Sequence, residues 1–488
     1  MRQTLSRLAR MVIGYGAVQW AGPFLALIFT PIITRILSPS DYGIADVALT
    51  VASAVGTLAL FALPQALAAH FNDRGDEAWH RGVTGSALAL ACAIGVPIGI
   101  VLLLFAPQIA QAFLGNTDFS RFFQLVGATV VFAVCSGILT AAAQAGLHVR
   151  WGMLLSITSI AATVFGNIVF IIVLRLGALG MVLTPITAGI AISIVALITM
   201  RRAIGAPSRS LVGTLGRSGA ALLPTVFSGW ALMLIDRLFL VHYVSTADLG
   251  YYAIANKIAA LAYIAMTPLY TAWTPLALSM QDHPDARQRY ATMARYLIAA
   301  VLGVALALGL FAPEILIILT RPAYLPAAPY VGFLAYVHVF TGFGVVLYTS
   351  AMAGKQLKAL SWTVTAGALI NLVLNFLLIP VYGVWGATIA TVIGYAVPQV
   401  LLYPLLQKRY PVPYPTRRLL AALLVETVLL VAGLMIPPLA FPVRAAIKVL
   451  LFAMLPAAFV LLGVLTRHEI RSASQLLLDR LSPRPNRA

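Results

Sequence analysis

The chain has 488 residues, of which 61% are hydrophobic and only 9% are charged. Soluble proteins carry about a quarter charged residues, so this composition excludes the soluble globular and disordered classes. The 32 Lys and Arg residues outnumber the 14 Asp and Glu residues and give a formal net charge of +18. Where these basic residues lie decides whether the excess reflects nucleic-acid binding or membrane topology.

Apolar stretches long enough to cross a bilayer follow one another almost without pause. A spanning helix needs about 20 apolar residues, whereas the strands of a membrane barrel are about half as long and alternate in polarity. We therefore predict an all-α polytopic membrane protein with about 14 transmembrane helices. The predicted spans are 11–34, 43–69, 82–106, 122–146, 151–174, 178–200, 219–242, 249–278, 296–319, 330–353, 360–380, 384–407, 419–437 and 445–466.

The basic residues are distributed unevenly among the segments between the spans. About three quarters of the Lys and Arg residues fall in alternate segments, beginning with the segment before the first span. The positive-inside rule then predicts that both termini are cytoplasmic and that the number of spans is even. No separate module combines basic and aromatic residues, so we interpret the charge as membrane topology and predict no nucleic-acid partner.

A short pattern recurs about 207 positions along the chain. Residues 38–43 read Ser-Pro-Ser-Asp-Tyr-Gly, and residues 245–250 read Ser-Thr-Ala-Asp-Leu-Gly. Asp41 and Asp248 each begin an Asp-x-Gly turn, so helix capping or turn formation is favoured over a functional role.

Further short matches near the same offset indicate an internal duplication of six spans. Because six is even, the repeats are predicted to be parallel, with two helices appended. The predicted domains are an N-terminal six-helix lobe at 1–205, a C-terminal six-helix lobe at 206–410, and the appended helices with a cytoplasmic tail at 411–488. Secondary transporters commonly bind substrate between such halves and work by alternating access. A duplication retained only for packing is the alternative.

The sequence contains none of the nucleotide-binding, hydrolase, metalloprotease or paired-cysteine motifs. Its segments outside the spans are short, which disfavours a membrane glycosyltransferase or polysaccharide polymerase. We therefore predict that the chain is not an enzyme and has no catalytic residues, no metal site and no cofactor other than a coupled proton or sodium ion.

Several ionisable residues lie inside predicted spans, where a charge costs roughly 2.5–3.5 kcal/mol. They are Asp46, Asp236, Arg237, Lys257, Glu426 and Lys448, and Arg35 lies at the end of the first span. For Asp236 and Arg237, a functional role and structural ion pairing both remain open. Lys257 has the character of a phosphate ligand, whereas snorkelling to the interface also explains Arg35. Glu426 and Lys448 have opposite charges, so pairing with each other is one interpretation.

Two stretches carry a resemblance to a known family. Residues 34–43 read Thr-Arg-Ile-Leu-Ser-Pro-Ser-Asp-Tyr-Gly, which resembles the opening signature of bacterial polysaccharide flippases. These are the O-antigen and exopolysaccharide translocases of the multidrug/oligosaccharidyl-lipid/polysaccharide exporter superfamily. Residues 234–240, Leu-Ile-Asp-Arg-Leu-Phe-Leu, and 247–255, Ala-Asp-Leu-Gly-Tyr-Tyr-Ala-Ile-Ala, resemble the matching element in the second half.

The resemblance implies a flippase of the bacterial inner membrane for undecaprenyl-pyrophosphate-linked oligosaccharide. The product would serve lipopolysaccharide O-antigen or exopolysaccharide synthesis, with the polysaccharide polymerase and chain-length machinery as partners. A cationic cleft suits the pyrophosphate, and our hypothesis assigns that role to Arg35, Arg237, Lys257 and Lys448. Asp46 or Asp236 would balance these charges or couple to a proton or sodium ion. A multidrug exporter of the same superfamily and a peptidoglycan-precursor flippase are the alternatives.

Overall fold

The computed structural model describes residues 28–146, 149–281, 283–354, 356–437, 439–466 and 469. In this part of the chain the regular structure is helical and no strand occurs. A helical segment at 28–36 is labelled α1. The helices that follow are α2 Pro39–Leu60, α3 Leu63–His70, α4 Glu77–Leu104, α5 Ala106–Leu114, α6 Ser120–Ala145, α7 Val149–Gly166, α8 Ala178–Thr199, α9 Arg209–Leu234, α10 Asp236–Tyr243, α11 Thr246–Ala259, α12 Leu261–Ser279, α13 Ala286–Leu310, α14 Ala312–Leu319, α15 Ala328–Ala353, α16 Leu357–Tyr382, α17 Val384–Gln407, α18 Thr416–Leu434 and α19 Phe441–Leu461.

The predicted helical membrane fold is confirmed. Twelve helical segments among the described residues are long and apolar enough to cross a membrane. The predicted span at 419–437 corresponds to α18, a helix of 19 residues that contains three charged side chains. Most of the predicted first span, residues 11–27, and most of the predicted cytoplasmic tail lie outside the described residues.

The two repeated turns form the same helix cap, as predicted for their aspartates. At the start of α2, the Ser38 hydroxyl accepts a hydrogen bond from the Asp41 amide at 3.0 Å, and the Asp41 carboxylate accepts from the Ser38 amide at 3.2 Å. At the start of α11, Ser245 and Asp248 make the equivalent bonds at 3.1 and 3.3 Å. This reciprocal arrangement satisfies backbone N–H groups that the first helical turn leaves without partners.

Several membrane segments consist of two consecutive helices. Phe61 and Ala62 adopt left-handed backbone conformations, with φ of 50° and 53°, and separate α2 from α3. Ile235 and Ala260 keep right-handed helical dihedrals at the junctions α9–α10 and α11–α12, so these junctions are subtler breaks. Irregular backbone at membrane depth requires protein or water around it. The α9–α10 junction carries the charged residues discussed below.

Contacts divide the chain into two units. The first contains Met1–Ile254, Leu316–Pro326 and Val364–Gly394, and the second contains Ala255–Ile315, Ala327–Thr363 and Tyr395–Ala488. Within the first unit, α4 and α6 approach closely at Gly99 and Gly127, where each missing side chain leaves room for the backbone of the other helix. These units are groups of residues in contact, whereas the predicted lobes are defined by the sequence repeat. The units therefore do not test the lobe boundaries, and the boundaries at 205 and 410 stay a prediction.

Candidate charged site in the first unit

Three of the predicted site residues meet in the first unit, around the guanidinium of Arg237. Its Nε lies 3.0 Å from Oδ2 of Asp46, and its Nη1 lies 2.8 Å from Oδ1 of Asp236. Nη1 also donates to the Met233 carbonyl at 3.0 Å. The Arg237 side chain is 8% exposed and that of Asp236 is 2% exposed, so this is a buried ion pair extended by a second carboxylate.

The carboxylate of Asp236 has further partners. Tyr252 donates its hydroxyl to Oδ2 of Asp236, and Thr391 donates to the same oxygen at 3.2 Å. The Tyr252 ring lies beneath the guanidinium of Arg237, with 5.4 Å between the guanidinium carbon and the ring centroid. Both oxygens of Asp236 are therefore hydrogen-bonded, as a charge in an apolar environment requires.

The local backbone explains how adjacent residues can share one site. α9 ends at Leu234 and α10 begins at Asp236, which places the Asp236 carboxylate in the first turn of α10. A carboxylate is favoured there by the helix dipole, and Oδ1 of Asp236 also accepts from the Arg237 amide at 2.9 Å. The side chain of Arg237 reaches back to the last turn of α9 and across to Asp46 on α2.

The cluster has an excess of negative charge. One guanidinium faces two carboxylates, so the formal sum is −1 when both acids are ionised. Asp46 is the accessible member, with 25% of its side chain exposed. Among the described residues, nothing accepts a hydrogen bond from Nη2 of Arg237. The site thus combines a free guanidinium donor with an accessible carboxylate.

The remaining predicted cations lie in different surroundings. Arg35 is exposed in the first unit, and Lys257 is half-buried on the part of α11 that belongs to the second unit. Lys448 is 4% exposed and donates to both carboxylate oxygens of Glu314, at 2.8 and 2.7 Å. Arg444 also approaches Glu314, at 3.5 Å.

The pairing of Lys448 with Glu426 is wrong. Glu314 on α14 is the partner of Lys448, whereas the fully buried Glu426 lies beside the hydroxyl of Tyr336 and forms no ion pair among the described residues. Glu314 lies near the start of α14 and inside the predicted span 296–319, so its charge at that depth was a usable signal that sequence reasoning missed.

Sequence reasoning also missed Tyr252 and Thr391. Tyr252 lies in the second stretch that carries the family resemblance, so its position was a usable signal. Thr391 is 155 residues from Asp236 along the chain, and threonine is ordinary in membrane helices. Only the packing of α17 in the first unit identifies it.

This fold defines a class, the helical multi-pass membrane proteins. A lipid II flippase, MurJ, in an inward closed conformation has a TM-score of 0.72 at 13% identity, covering 92% of this chain and 98% of that one. An inward-facing multidrug resistance MATE family transporter of the MOP superfamily has a TM-score of 0.66 at 15% identity, covering 80% and 94%. A MOP superfamily transporter from Pyrococcus furiosus has a TM-score of 0.58 at 16% identity, covering 82% and 93%. At such identities these likenesses establish the fold.

Sequence similarity establishes the family. The family described as polysaccharide biosynthesis protein matches residues 32–329, and this chain belongs to it. An uncharacterised membrane protein of Methanocaldococcus jannaschii is 33% identical over 100 residues, which are 20% of this chain. The match spans only about a fifth of that relative's own length. The predicted family resemblance is therefore confirmed.

Proposed function

We propose that this protein is a flippase that carries undecaprenyl-pyrophosphate-linked oligosaccharide units from the cytoplasmic to the outer leaflet of the bacterial inner membrane by alternating access. Membership in the polysaccharide biosynthesis family supports the sugar substrate. The fold shared with a protein named a lipid II flippase supports movement of a lipid-linked molecule. The observation that carries the proposal is the buried cluster of Asp46, Asp236 and Arg237 inside the membrane segments.

The buried charged residues suit the transport of a polar substrate through the membrane. A pyrophosphate and sugar hydroxyls must pass hydrocarbon, where each unsatisfied polar group costs several kcal/mol. In our proposal, Nη2 of Arg237 supplies one donor to the pyrophosphate, and the predicted cations Arg35 and Lys257 supply others at different stages of the cycle. Lys448 has a secondary role, because Glu314 already neutralises it.

The excess carboxylate supplies a route to ion coupling. Binding of a proton or a sodium ion at Asp46 would cancel the formal charge of −1 and weaken the hold of Asp46 on Arg237. The guanidinium would then be released toward an anionic substrate. Asp236 would remain the fixed partner, because its two oxygens are already engaged by Arg237, Tyr252 and Thr391.

The cellular setting follows from the same proposal. Both termini would be cytoplasmic, as the positive-inside rule predicts. The flipped repeat unit would pass to the polysaccharide polymerase and the chain-length machinery, and the end product would be O-antigen of lipopolysaccharide or an exopolysaccharide.

The test is the sidedness of undecaprenyl-pyrophosphate-linked glycan in cells lacking this protein. Glycosidase treatment of inverted and right-side-out vesicles reports which leaflet holds the glycan. We expect accumulation facing the cytoplasm, loss of surface polysaccharide and unchanged drug tolerance. Complementation with Arg237→Gln should fail, whereas Arg121→Gln, which removes an exposed arginine outside the cluster, should restore export. Unaltered lipid-linked glycan together with increased drug sensitivity would instead identify a multidrug exporter.

A further inference from the structure

A second concentration of charge lies in the first unit and shares no residue with the Arg237 cluster. A cavity of about 310 Å³ opens among the start of α4, the end of α6, the start of α7 and the turn after α8. Its polar lining includes Glu77, His80, Arg81 and Arg202, and Trp151 contributes to its wall. The segments that meet here are those that the positive-inside rule places in the cytoplasm.

The two arginines are held in place by their backbone, while their side chains remain available. The Gly205 amide donates to the Arg81 carbonyl at 2.9 Å, and the Ser208 amide donates to the Ser86 hydroxyl at 3.0 Å. These bonds fix the turn carrying Arg202 against α4. Among the described residues neither guanidinium forms an ion pair or a hydrogen bond, although Glu77 lines the same cavity.

His80 provides an independent sign of a missing ligand. Its ring stacks on Phe71 with 4.5 Å between centroids and an interplanar angle of 4°, which fixes its orientation. Its Nε2 atom is buried and has no hydrogen-bond partner in the part of the chain that the structure describes. A buried polar atom without a partner is costly, so a ligand with a hydrogen-bonding group is expected to reach it.

We propose that this cavity binds the phosphodiester headgroup of an anionic phospholipid in the cytoplasmic leaflet. Arg81 and Arg202 would hold the phosphate through charge-assisted hydrogen bonds, and His80 would complete its coordination. Glu77 would accept from a headgroup hydroxyl, as the glycerol of phosphatidylglycerol provides. Phe71 and Trp151 would contact the apolar part of the lipid at the depth where aromatic residues favour the membrane interface.

The charge of the residues that line the cavity favours anionic over zwitterionic lipids. With His80 neutral, two guanidinium groups and one carboxylate give a formal sum of +1, which favours a ligand of net negative charge over a zwitterion. The anionic cytoplasmic leaflet presents such lipids at this depth. This inference goes beyond the transport proposal and does not depend on the substrate.

Native mass spectrometry of the full, delipidated protein tests the inference with three probes: phosphatidylglycerol, phosphatidylethanolamine and phosphatidylcholine of identical chains. We expect tight adducts with phosphatidylglycerol alone, weakened about tenfold by Arg202→Gln and further by Arg81→Gln, as loss of a charge-assisted contact predicts. Arg201→Gln is the matched control, because it removes the same charge one position away from a residue that lines the cavity. The arginine side chains are exposed and make no hydrogen bond or ion pair within the described ranges, so these variants break no such bond.

Two outcomes would overturn the assignment. Equal adducts with all three lipids, or equal losses in the Arg201→Gln and Arg202→Gln variants, would show nonspecific attraction to the basic surface. Displacement of bound phosphatidylglycerol by millimolar inorganic phosphate would reassign the cavity to a soluble phosphate compound. Resistance to that competitor, with retained selectivity, supports the lipid headgroup.

Discussion

The hydroxyl oxygens of Ser40 and Thr246 lie 2.6 Å apart, although 206 positions separate these residues in the chain. Each belongs to one of the two repeated turns, so the duplicated segments contact each other directly. Gly43 and Gly250 allow this approach, because a side chain at either position would collide with backbone of the other turn. Such a contact between equivalent segments is expected near the axis that relates two repeats.

Gly250→Ala should destabilise the protein by roughly 1–3 kcal/mol, the usual cost of overpacking. The new methyl group would collide with the Pro39 carbonyl group at the start of α2. The midpoint of thermal unfolding in detergent, followed by size-exclusion chromatography, measures the effect. Gly303→Ala is the control, since nothing lies within 4 Å of the added atom. Equal midpoints for both variants would contradict the close packing of the two turns.

Asp236→Ala should destabilise the protein more than Asp46→Ala. Removing Asp236 leaves Arg237 with one ionic partner and takes away the carboxylate that accepts from Tyr252, and breaking a buried pair costs about 3–5 kcal/mol. Asp46 is 25% exposed, so water compensates for part of its loss. Urea or thermal unfolding of both variants gives the comparison.

The double variant Asp236→Ala/Arg237→Ala extends this test. Its loss of stability should be smaller than the sum of the two single losses, because neither member of the buried pair is left behind alone and the only carboxylate that loses its cation is the partly exposed Asp46. Additive losses would show that Asp236 and Arg237 are not coupled.

Lys448→Met should lower stability, whereas Glu426→Gln should leave it almost unchanged. Lys448→Met removes the closer of the two cations beside the Glu314 carboxylate, leaving only Arg444 at 3.5 Å. Glu426 forms no ion pair within the described residues, and an amide of the same shape can keep the contact with the Tyr336 hydroxyl. The same unfolding measurement compares the two variants. A large loss in Glu426→Gln would reveal a partner for that carboxylate.

The contacts of Glu469 with Thr466 and with α13 should persist down to strongly acidic pH. Partial burial acts to raise the pKa of Glu469, but hydrogen bonds from Tyr296 and Thr466 and the charge of Arg295 outweigh it and lower that pKa from 4.5 to about 2. The contribution to stability is therefore fully present above pH 4.5 and is lost as the pH falls through about 2.

Hydrogen exchange of the peptide containing Thr466 and Glu469, corrected for intrinsic rates, measures whether these contacts persist. Protection should persist at pH 4.5 and decline toward pH 2. Glu469→Gln lacks the charge and should show weaker protection with no such decline. An identical pH profile in that variant would rule out Glu469 as the titrating group.

Part of the candidate site could be predicted from the sequence. Asp46, Asp236 and Arg237 were recognisable because a charge in an apolar span is costly wherever its partners lie. Structural ion pairing was one of two open interpretations for Asp236 and Arg237, but their contact with each other does not follow from the sequence, because adjacent helical residues point about 100° apart. The break between α9 and α10 and the position of α2 bring all three together.

The sequence by itself determined the membrane environment, the helical class and the capping role of Asp41 and Asp248, because these depend on composition and on interactions within a few residues. The tertiary structure alone decided the partners. Lys448 pairs with Glu314 across 134 positions, and Thr391 reaches Asp236 across 155. Burial makes a partner necessary, but which side chain provides it depends on which helices pack together. The hydrophobic periodicity of a single helix does not determine its neighbours.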